Sequence, residues 1–111
     1  MEQLYLGKLA GVNFEPAKSN LQKFVEKINA AENQNADVEI KLTHDKENKY
    51  DKNAIRVSAG IGGIFLEVGW IPKHSNEGIL KAGIENTKTT IENFNFFEGK
   101  VVGLRVNVVL T

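Results

Sequence analysis

The chain has 111 residues, of which 41% are hydrophobic and 25% charged, a composition typical of one ordinary globular domain. No apolar run approaches the ~18 residues of a membrane span, and no signal-like segment opens the sequence, so we expect a cytoplasmic protein without membrane contact. The 14 Lys and Arg residues balance the 14 Asp and Glu residues, which excludes a strong overall field for nucleic acid. The absence of cysteine excludes disulfides and thiolate metal sites.

The N-terminal part of the chain predicts a strand followed by an amphipathic helix. Residues 3–14 have the apolar content of a strand, and Pro16 ends it. Ser19 and Gln22 form a capping-box pattern that predicts the start of a helix over residues 20–31. The apolar residues of this helix fall at i, i+3, i+4 and i+7, so that one face can pack on a sheet: Leu21, Phe24, Val25 and Ile28.

The middle of the chain predicts three strands. Residues 32–36 are polar and lack periodicity, and strict alternation begins at residues 38–42, which predicts the second strand. After a polar loop, residues 54–58 predict a third strand. The glycine-rich residues 60–63 predict a hairpin turn that leads into a fourth strand over residues 64–71.

The C-terminal part predicts a short helix and a long β-hairpin. Pro72 closes the fourth strand, and Ser75 is the predicted cap of a helix that carries Ile79 and Leu80. Residues 87–97 and 100–111 predict two strands, the second with alternating apolar residues Val102, Leu104, Val106, Val108 and Leu110. Six short strands with two helices favour a mainly β fold of the α+β class, a small antiparallel barrel that is closed or partly open. We expect one domain over residues 1–111.

The polar loop over residues 44–53 is the candidate functional site. Asn and Asp side chains form defined turns by bonding to nearby backbone, so this loop can present Tyr50 and Asp51 in a fixed direction. An exposed tyrosine beside an acceptor can stack on one ligand group while the acceptor bonds another. The alternative is structural: Tyr50 lies over the barrel edge, and Asp51 caps the turn through the amide of Asn53.

Enzymatic readings find no support in the sequence. His44 and His74 are the two histidines, and neither stands at a metal-ligand spacing with another His or Cys. The loop carboxylates lack the glycine and terminal glutamate of a calcium-binding loop, and the glycine turn at residues 60–63 lacks the lysine and following helix of a phosphate-binding loop. We therefore predict no catalytic residue, no metal and no cofactor.

The order of several short motifs resembles the HIRAN domain family. The core of the resemblance is the sequence YDKNAIRV at residues 50–57 followed by VGWIPK at residues 68–73. Residues 9–14 and 38–42 arrive in the matching order, so that the resemblance runs from about Lys8 to the C-terminus. Family members occur fused to fork-remodelling helicases and nucleases, and as small free-standing bacterial and phage proteins. The resemblance implies an OB-like or SH3-like barrel with accessory helices.

The resemblance also implies capture of single-stranded DNA at a free 3′ end. By motif position, Asp51 accepts a hydrogen bond from the terminal 3′-hydroxyl, and Tyr50 and Phe14 sandwich a base between their rings. Asn48 contacts the same nucleotide. The context implied is DNA repair, replication or recombination, with a helicase or nuclease as partner protein.

Two further residues complete the implied site, and one position departs from the family pattern. Lys73 is expected to meet a backbone phosphate, and Trp70 offers a stacking face or else covers the core. DNA-binding members carry an arginine beside the first-strand aromatic, where this chain has Asn13. We therefore expect modest, strongly salt-dependent affinity for DNA.

A protein-interaction or self-association module is the alternative function. The cluster of Phe94, Phe96 and Phe97 predicts one or two core residues and leaves the remainder for a contact with a partner or a second copy. Such a module needs a contiguous apolar patch and tolerates loss of Asp51. Phe14 itself can belong either to the core or to the site. The oligomeric state stays open.

Overall fold

The chain folds into six β-strands and two α-helices in a computed structural model that describes residues 2–30 and 38–111. This architecture confirms the mainly β fold with two helices. No helix in the two described stretches is long and apolar enough to cross a membrane. A 3₁₀ turn, which the sequence did not predict, spans Ile84–Asn86. The elements are β1 (Gln3–Lys8), α1 (Ala17–Ala30), β2 (Val38–His44), β3 (Ile55–Ile61), β4 (Ile64–Trp70), α2 (Lys73–Ala82), β5 (Thr87–Phe97) and β6 (Lys100–Leu110).

The strands form two antiparallel sheets rather than a closed barrel. One sheet has the order β1-β6-β5, and the other has the order β2-β3-β4. They meet where Ala10 and Trp70 exchange two backbone hydrogen bonds of 2.8 and 2.9 Å. No pairing joins β2 to β5 within the described residues. Of the two forms predicted, closed or partly open, the described residues do not form the closed barrel: a groove lined mainly by apolar side chains lies between these two edge strands.

Helix α1 packs across both sheets and fills much of the core. Leu21 and Phe24 are each 1% exposed, and Val25 and Ile28 pack beside them, which confirms the predicted apolar face. The amide of Gln22 donates to the Val101 carbonyl of β6 at 2.6 Å. The Nδ2 group of Asn20 donates to the Glu67 carbonyl of β4 at 2.9 Å, so the helix links the two sheets through polar bonds as well as apolar burial. The other fully buried side chains come mostly from β3, β4 and β6, and include Ile55, Val57, Val68, Leu104, Val106 and Val108.

The start of α1 differs from the capping-box prediction. The helix begins at Ala17, so Ser19 lies inside its first turn. The Glu15 carboxylate accepts hydrogen bonds from the Ser19 amide at 2.8 Å and from its hydroxyl at 2.5 Å. These bonds favour the ionised carboxylate and hold the pKa of Glu15 below its usual value. The predicted helix end at residue 31 and the polar stretch 32–36 lie outside the described residues.

Three other predicted boundaries were wrong. Strand β1 ends at Lys8, and residues 11–16 form turns instead of continuing it. Helix α2 starts directly after Pro72 rather than at Ser75, and Pro72 is its N-cap residue, with a φ of −57° and an extended ψ of 143°. Strand β3 extends to Ile61, which narrows the hairpin turn to two glycines with φ of +61° and +85°.

A β-bulge in β6 interrupts the predicted alternation of that strand. Asn95 pairs with Gly103 and Phe96 pairs with Val101, which leaves Val102 without an opposite residue. Val101 is consequently 4% exposed and Val102 is 45% exposed, although alternation predicted Val102 on the inner face. Leu104, Val106 and Val108 are fully buried as predicted.

Candidate functional site

Five of the six residues predicted to bind DNA lie in segments that meet at one end of the β2-β3-β4 sheet. The β2–β3 loop comprises residues 45–54. A backbone hydrogen bond of 2.9 Å from the Asp45 N–H to the Ala54 carbonyl closes it. The Ile71 amide donates to the Ile55 carbonyl at 3.0 Å, which holds the start of α2 beside the start of β3. The Ala10–Trp70 pairing brings the turn after β1 to the same end. The fold therefore places Asn48, Tyr50, Asp51, Trp70 and Lys73 on neighbouring segments. Phe14 lies on the turn after β1, where it lines a small cavity with Asn95, Val102 and Gly103 of the β5–β6 pair.

Asn48 organises the β2–β3 loop. Its Oδ1 accepts hydrogen bonds from the backbone amides of Tyr50 at 2.9 Å and Asp51 at 3.0 Å. Its Nδ2 donates to the Asp45 carboxylate at 3.4 Å. The oxygen of Asn48 is therefore occupied by the loop itself, and a ligand would meet the remaining N–H of the amide.

Asp51 is held from two directions. Its Oδ1 accepts the Asn53 backbone N–H at 2.8 Å, which is the turn cap that the sequence left open as an alternative. Its Oδ2 accepts the Nδ2–H of Asn76 on α2 at 3.3 Å. Each carboxylate oxygen can accept a further hydrogen bond, so the cap and a ligand contact are compatible. The half-buried carboxylate is thus oriented but not saturated.

Two aromatic rings at this end are exposed rather than buried. Tyr50 is 95% exposed and Phe14 is 74% exposed, so neither ring contributes to the core. The turn that carries Phe14 is defined by bonds from the Phe14 amide to Gly11 at 3.2 Å and from the Lys18 amide to Phe14 at 3.0 Å. Large aromatics presented on ordered loops are available for stacking contacts.

Trp70 covers the backbone next to the Phe14 turn. It is half-buried, and its Cδ1 would lie 2.8 Å from a Cβ added to Gly11. Gly11 has a φ of +73°, so this position requires glycine both for its conformation and for the close approach of the indole. The main contact of Trp70 is therefore with the fold, as the structural alternative predicted, while part of the ring stays accessible.

Positive charge at this end is present but diluted. Lys73 is exposed in the first turn of α2, where Pro72 provides no side-chain cap. Arg56 on β3 lies 3.9 Å from the Glu67 carboxylate, which offsets part of its charge. The β2–β3 loop adds both lysines and carboxylates. The opposite charges in this region therefore partly cancel, and the local field is weak.

Asn76 is a residue of this site that the sequence reading missed. It is 3% exposed on the inner face of α2, and its side chain reaches Asp51. The signal was present in the sequence: Asn76 lies three residues before Ile79, and this spacing puts both on the same helix face. The predicted buried face of this helix included only the apolar residues Ile79 and Leu80.

Two apolar features involve none of the six predicted residues. A groove of about 750 Å³ runs between β2 and β5; we call it the β2–β5 groove. Its apolar lining comprises Ile28, Val38, Ile40, Leu42, Phe65, Ile84 and Ile91. Among the predicted phenylalanine cluster, Phe94 packs against the core, whereas Phe96 and Phe97 are 57% and 66% exposed.

Comparisons of the chain with protein-family models, with curated proteins and with solved structures find no match.

Proposed function

We propose that this protein is a HIRAN-type, non-enzymatic module that captures single-stranded DNA at a free 3′ end during repair, replication or recombination. The main support is the Tyr50–Asp51 pair, in which a ring that is 95% exposed adjoins a carboxylate oriented by two hydrogen bonds. A terminal base can stack on the ring while the 3′-hydroxyl donates to the carboxylate. A helicase or nuclease is the proposed partner protein.

The same pair accounts for selection of ends over internal strand. An internal nucleotide presents a phosphate where the terminal nucleotide presents a hydroxyl, and the Asp51 carboxylate repels the phosphate. Phe14 supplies a second exposed ring on the neighbouring turn, and Asn48 and Lys73 supply an amide and a cation for the nucleotide and its phosphate. Specificity in this proposal comes from Asp51, and affinity comes from stacking.

We propose further that the two sheets are an OB-like barrel that is open on one side. The Ala10–Trp70 hydrogen bonds join the sheets along one line, and the β2–β5 groove is the opposite, unclosed line. In this arrangement the proposed DNA site occupies loops at the rim, where barrels of this class commonly bind oligonucleotides.

Equilibrium binding to two strands of equal charge tests the proposal. One labelled single strand carries a 5′-phosphate and a free 3′-hydroxyl, and the other carries the phosphate at its 3′ end. We expect the wild type to bind the free 3′ end about 10-fold or more tightly in fluorescence anisotropy, since a hydrogen bond to a charged group contributes ~1.5–3 kcal/mol. Asp51→Asn keeps an acceptor for the Asn53 amide but removes the charge, and should bring the ratio close to one.

Glu47→Gln is the matched control for this comparison. Glu47 is exposed in the same loop, and the substitution removes the same unit of charge without touching Asp51. It should leave the ratio of the two affinities unchanged. Equal binding of both strands by the wild type would refute end capture, as would equal loss of preference in Asp51→Asn and Glu47→Gln.

Tyr50→Ala tests the stacking contact. We expect this variant to lose ~1–3 kcal/mol of binding free energy for both strands, because the lost contact is with a base and not with the end group. The ratio between the strands should persist. Phe97→Ala is the control, since it removes an exposed ring outside the proposed set of DNA-binding residues and should leave affinity unchanged. Isothermal titration of the same oligonucleotides at low salt measures both variants.

A protein-interaction module is the second candidate function. The exposed rings of Phe96 and Phe97 and the apolar lining of the β2–β5 groove favour it, because contiguous apolar surface commonly marks contact sites. The two candidates differ in their dependence on Asp51. Absence of binding to either strand at low salt, where phosphate attraction is strongest, would favour this candidate over DNA capture.

A further inference from the structure

Asn76 is the one polar residue that is buried among the described residues. It is 3% exposed on α2, on the face that also carries the fully buried Ile79. Its Oδ1 is buried and has no hydrogen-bond donor among residues 2–30 and 38–111. Burying an acceptor without a partner costs stability, whereas an apolar side chain of similar size would not. A compensating interaction therefore has to involve the Nδ2 group of the same amide.

The Nδ2 group of Asn76 contacts the β2–β3 loop. Asn76 Nδ2 donates to Asp51 Oδ2 at 3.3 Å, while the Asn53 amide donates to Asp51 Oδ1 at 2.8 Å. The Asn53 bond belongs to the loop, and the Asn76 bond ties the loop to a helix. Within the described residues it is the one side-chain hydrogen bond between this loop and an element outside the strands that flank it. Two donors from different directions restrict rotation of the carboxylate.

We infer that Asn76 is a positioning residue that holds the Asp51 carboxylate in the orientation required to accept a 3′-hydroxyl. The inference rests on the proposed function and extends it to a residue that does not contact the nucleotide. A carboxylate on an exposed loop samples several rotamers, and fixing one of them in advance removes an ordering cost from binding. The acceptor geometry, rather than charge alone, then selects the end.

Asn76→Leu tests the inference with the two phosphate-matched strands. The substitution keeps the approximate volume, removes the N–H donor and removes the unpartnered oxygen. We expect the preference for the free 3′ end to fall about 10-fold, to the level of Asp51→Asn. In the Asp51→Asn background, Asn76→Leu should produce no further fall. A ratio measured on one protein sample does not depend on the fraction that is folded.

A measurement without DNA distinguishes a positioning role of Asn76 from a contribution to stability alone. The Hα–Hβ scalar couplings of Asp51 should indicate one χ1 rotamer in the wild type and averaging in Asn76→Leu, while the thermal midpoint stays equal or rises. Asn76→Ala, which cannot overpack the site, should show the same averaging. Asn93→Leu, an exposed asparagine on β5, is the control and should change neither couplings nor ratio.

The possible outcomes separate the two hypotheses. A wild type that prefers the free end and an Asn76→Leu variant that prefers it equally would overturn the positioning role and leave the proposed function intact. A fall in thermal midpoint with an unchanged ratio would show that Asn76 is structural only, and would also overturn it. A wild type without any end preference would overturn the proposed function, and the positioning role would fall with it.

Discussion

Gly69→Ala is expected to destabilise the protein by about 3 kcal/mol, because it combines backbone strain with an atomic clash. Gly69 is buried in β4 with a φ of +155°, a conformation that L-residues rarely adopt. An added Cβ would lie 2.9 Å from the Ala10 carbonyl oxygen, 3.1 Å from Leu9 Cβ and 3.2 Å from Val12 Cγ1. Backbone and short core side chains surround it, so no flexible group can move aside.

The clash would also disturb the proposed site. The Ala10 carbonyl accepts the Trp70 amide at 2.9 Å in the pairing that joins the two sheets. Displacing it shifts the turn that carries Phe14 relative to the loop that carries Tyr50. We therefore expect Gly69→Ala to weaken binding of single-stranded DNA in both the free and the phosphorylated form.

Gly78→Ala is the matched control for this substitution. Gly78 lies exposed inside α2, and an added Cβ would meet nothing within 4 Å. Alanine is the better helix former, so this variant should gain ~0.5–1 kcal/mol. Urea denaturation followed by circular dichroism measures both free energies of unfolding. Similar stability of the two variants would contradict the close packing described for Gly69.

Phe24→Ala is expected to produce the largest loss of stability, about 3–5 kcal/mol. Phe24 is 1% exposed on α1, and its ring centroid lies 6.1 Å from that of Phe94 on β5. The ring therefore occupies the space between the helix and the sheets, and its removal leaves a cavity that rigid strands cannot fill. Domains of this size have roughly 5–15 kcal/mol of stability in total, so the variant should lose a large share of it.

Phe97→Ala provides the comparison for Phe24→Ala. Phe97 is 66% exposed at the end of β5, and its truncation removes little buried contact. Its free energy of unfolding should stay within about 0.5 kcal/mol of the wild type in the same urea titration. A large loss for Phe97→Ala would mean that the exposed ring is buried in an assembly, and would support self-association.

The proposed site shares its residues with the loop that carries it. Asn48 and Asp51 define the β2–β3 turn through their side-chain oxygens, so alanine at either position removes a turn bond together with any ligand contact. Asp51→Asn, by contrast, preserves a side-chain oxygen that can accept the Asn53 backbone N–H. Stability and recognition can be separated at this site only with substitutions that keep the shape of the turn.

Local patterns in the sequence determined the type and order of the elements. Alternation with a period of two marked the strands, the 3.6-residue spacing of Leu21 and Phe24 marked the buried face of α1, and Asn and Asp marked the ordered loop. These features could be predicted because each depends on residues close together in the chain. The bulge at Val102 could not, since it depends on which residue of β5 lies opposite.

Tertiary structure alone decided how the elements meet. The Ala10–Trp70 pairing joins residues from distant parts of the chain, and the hydrogen bond from Asn76 to Asp51 connects a helix to a loop that precedes it by two strands. Neither contact leaves a local pattern, because each depends on the packing of all intervening elements. The open β2–β5 groove has the same origin. Local sequence therefore sufficed for the ordered loop that carries Tyr50 and Asp51, whereas the contact of that loop with α2 required the packing of the whole chain.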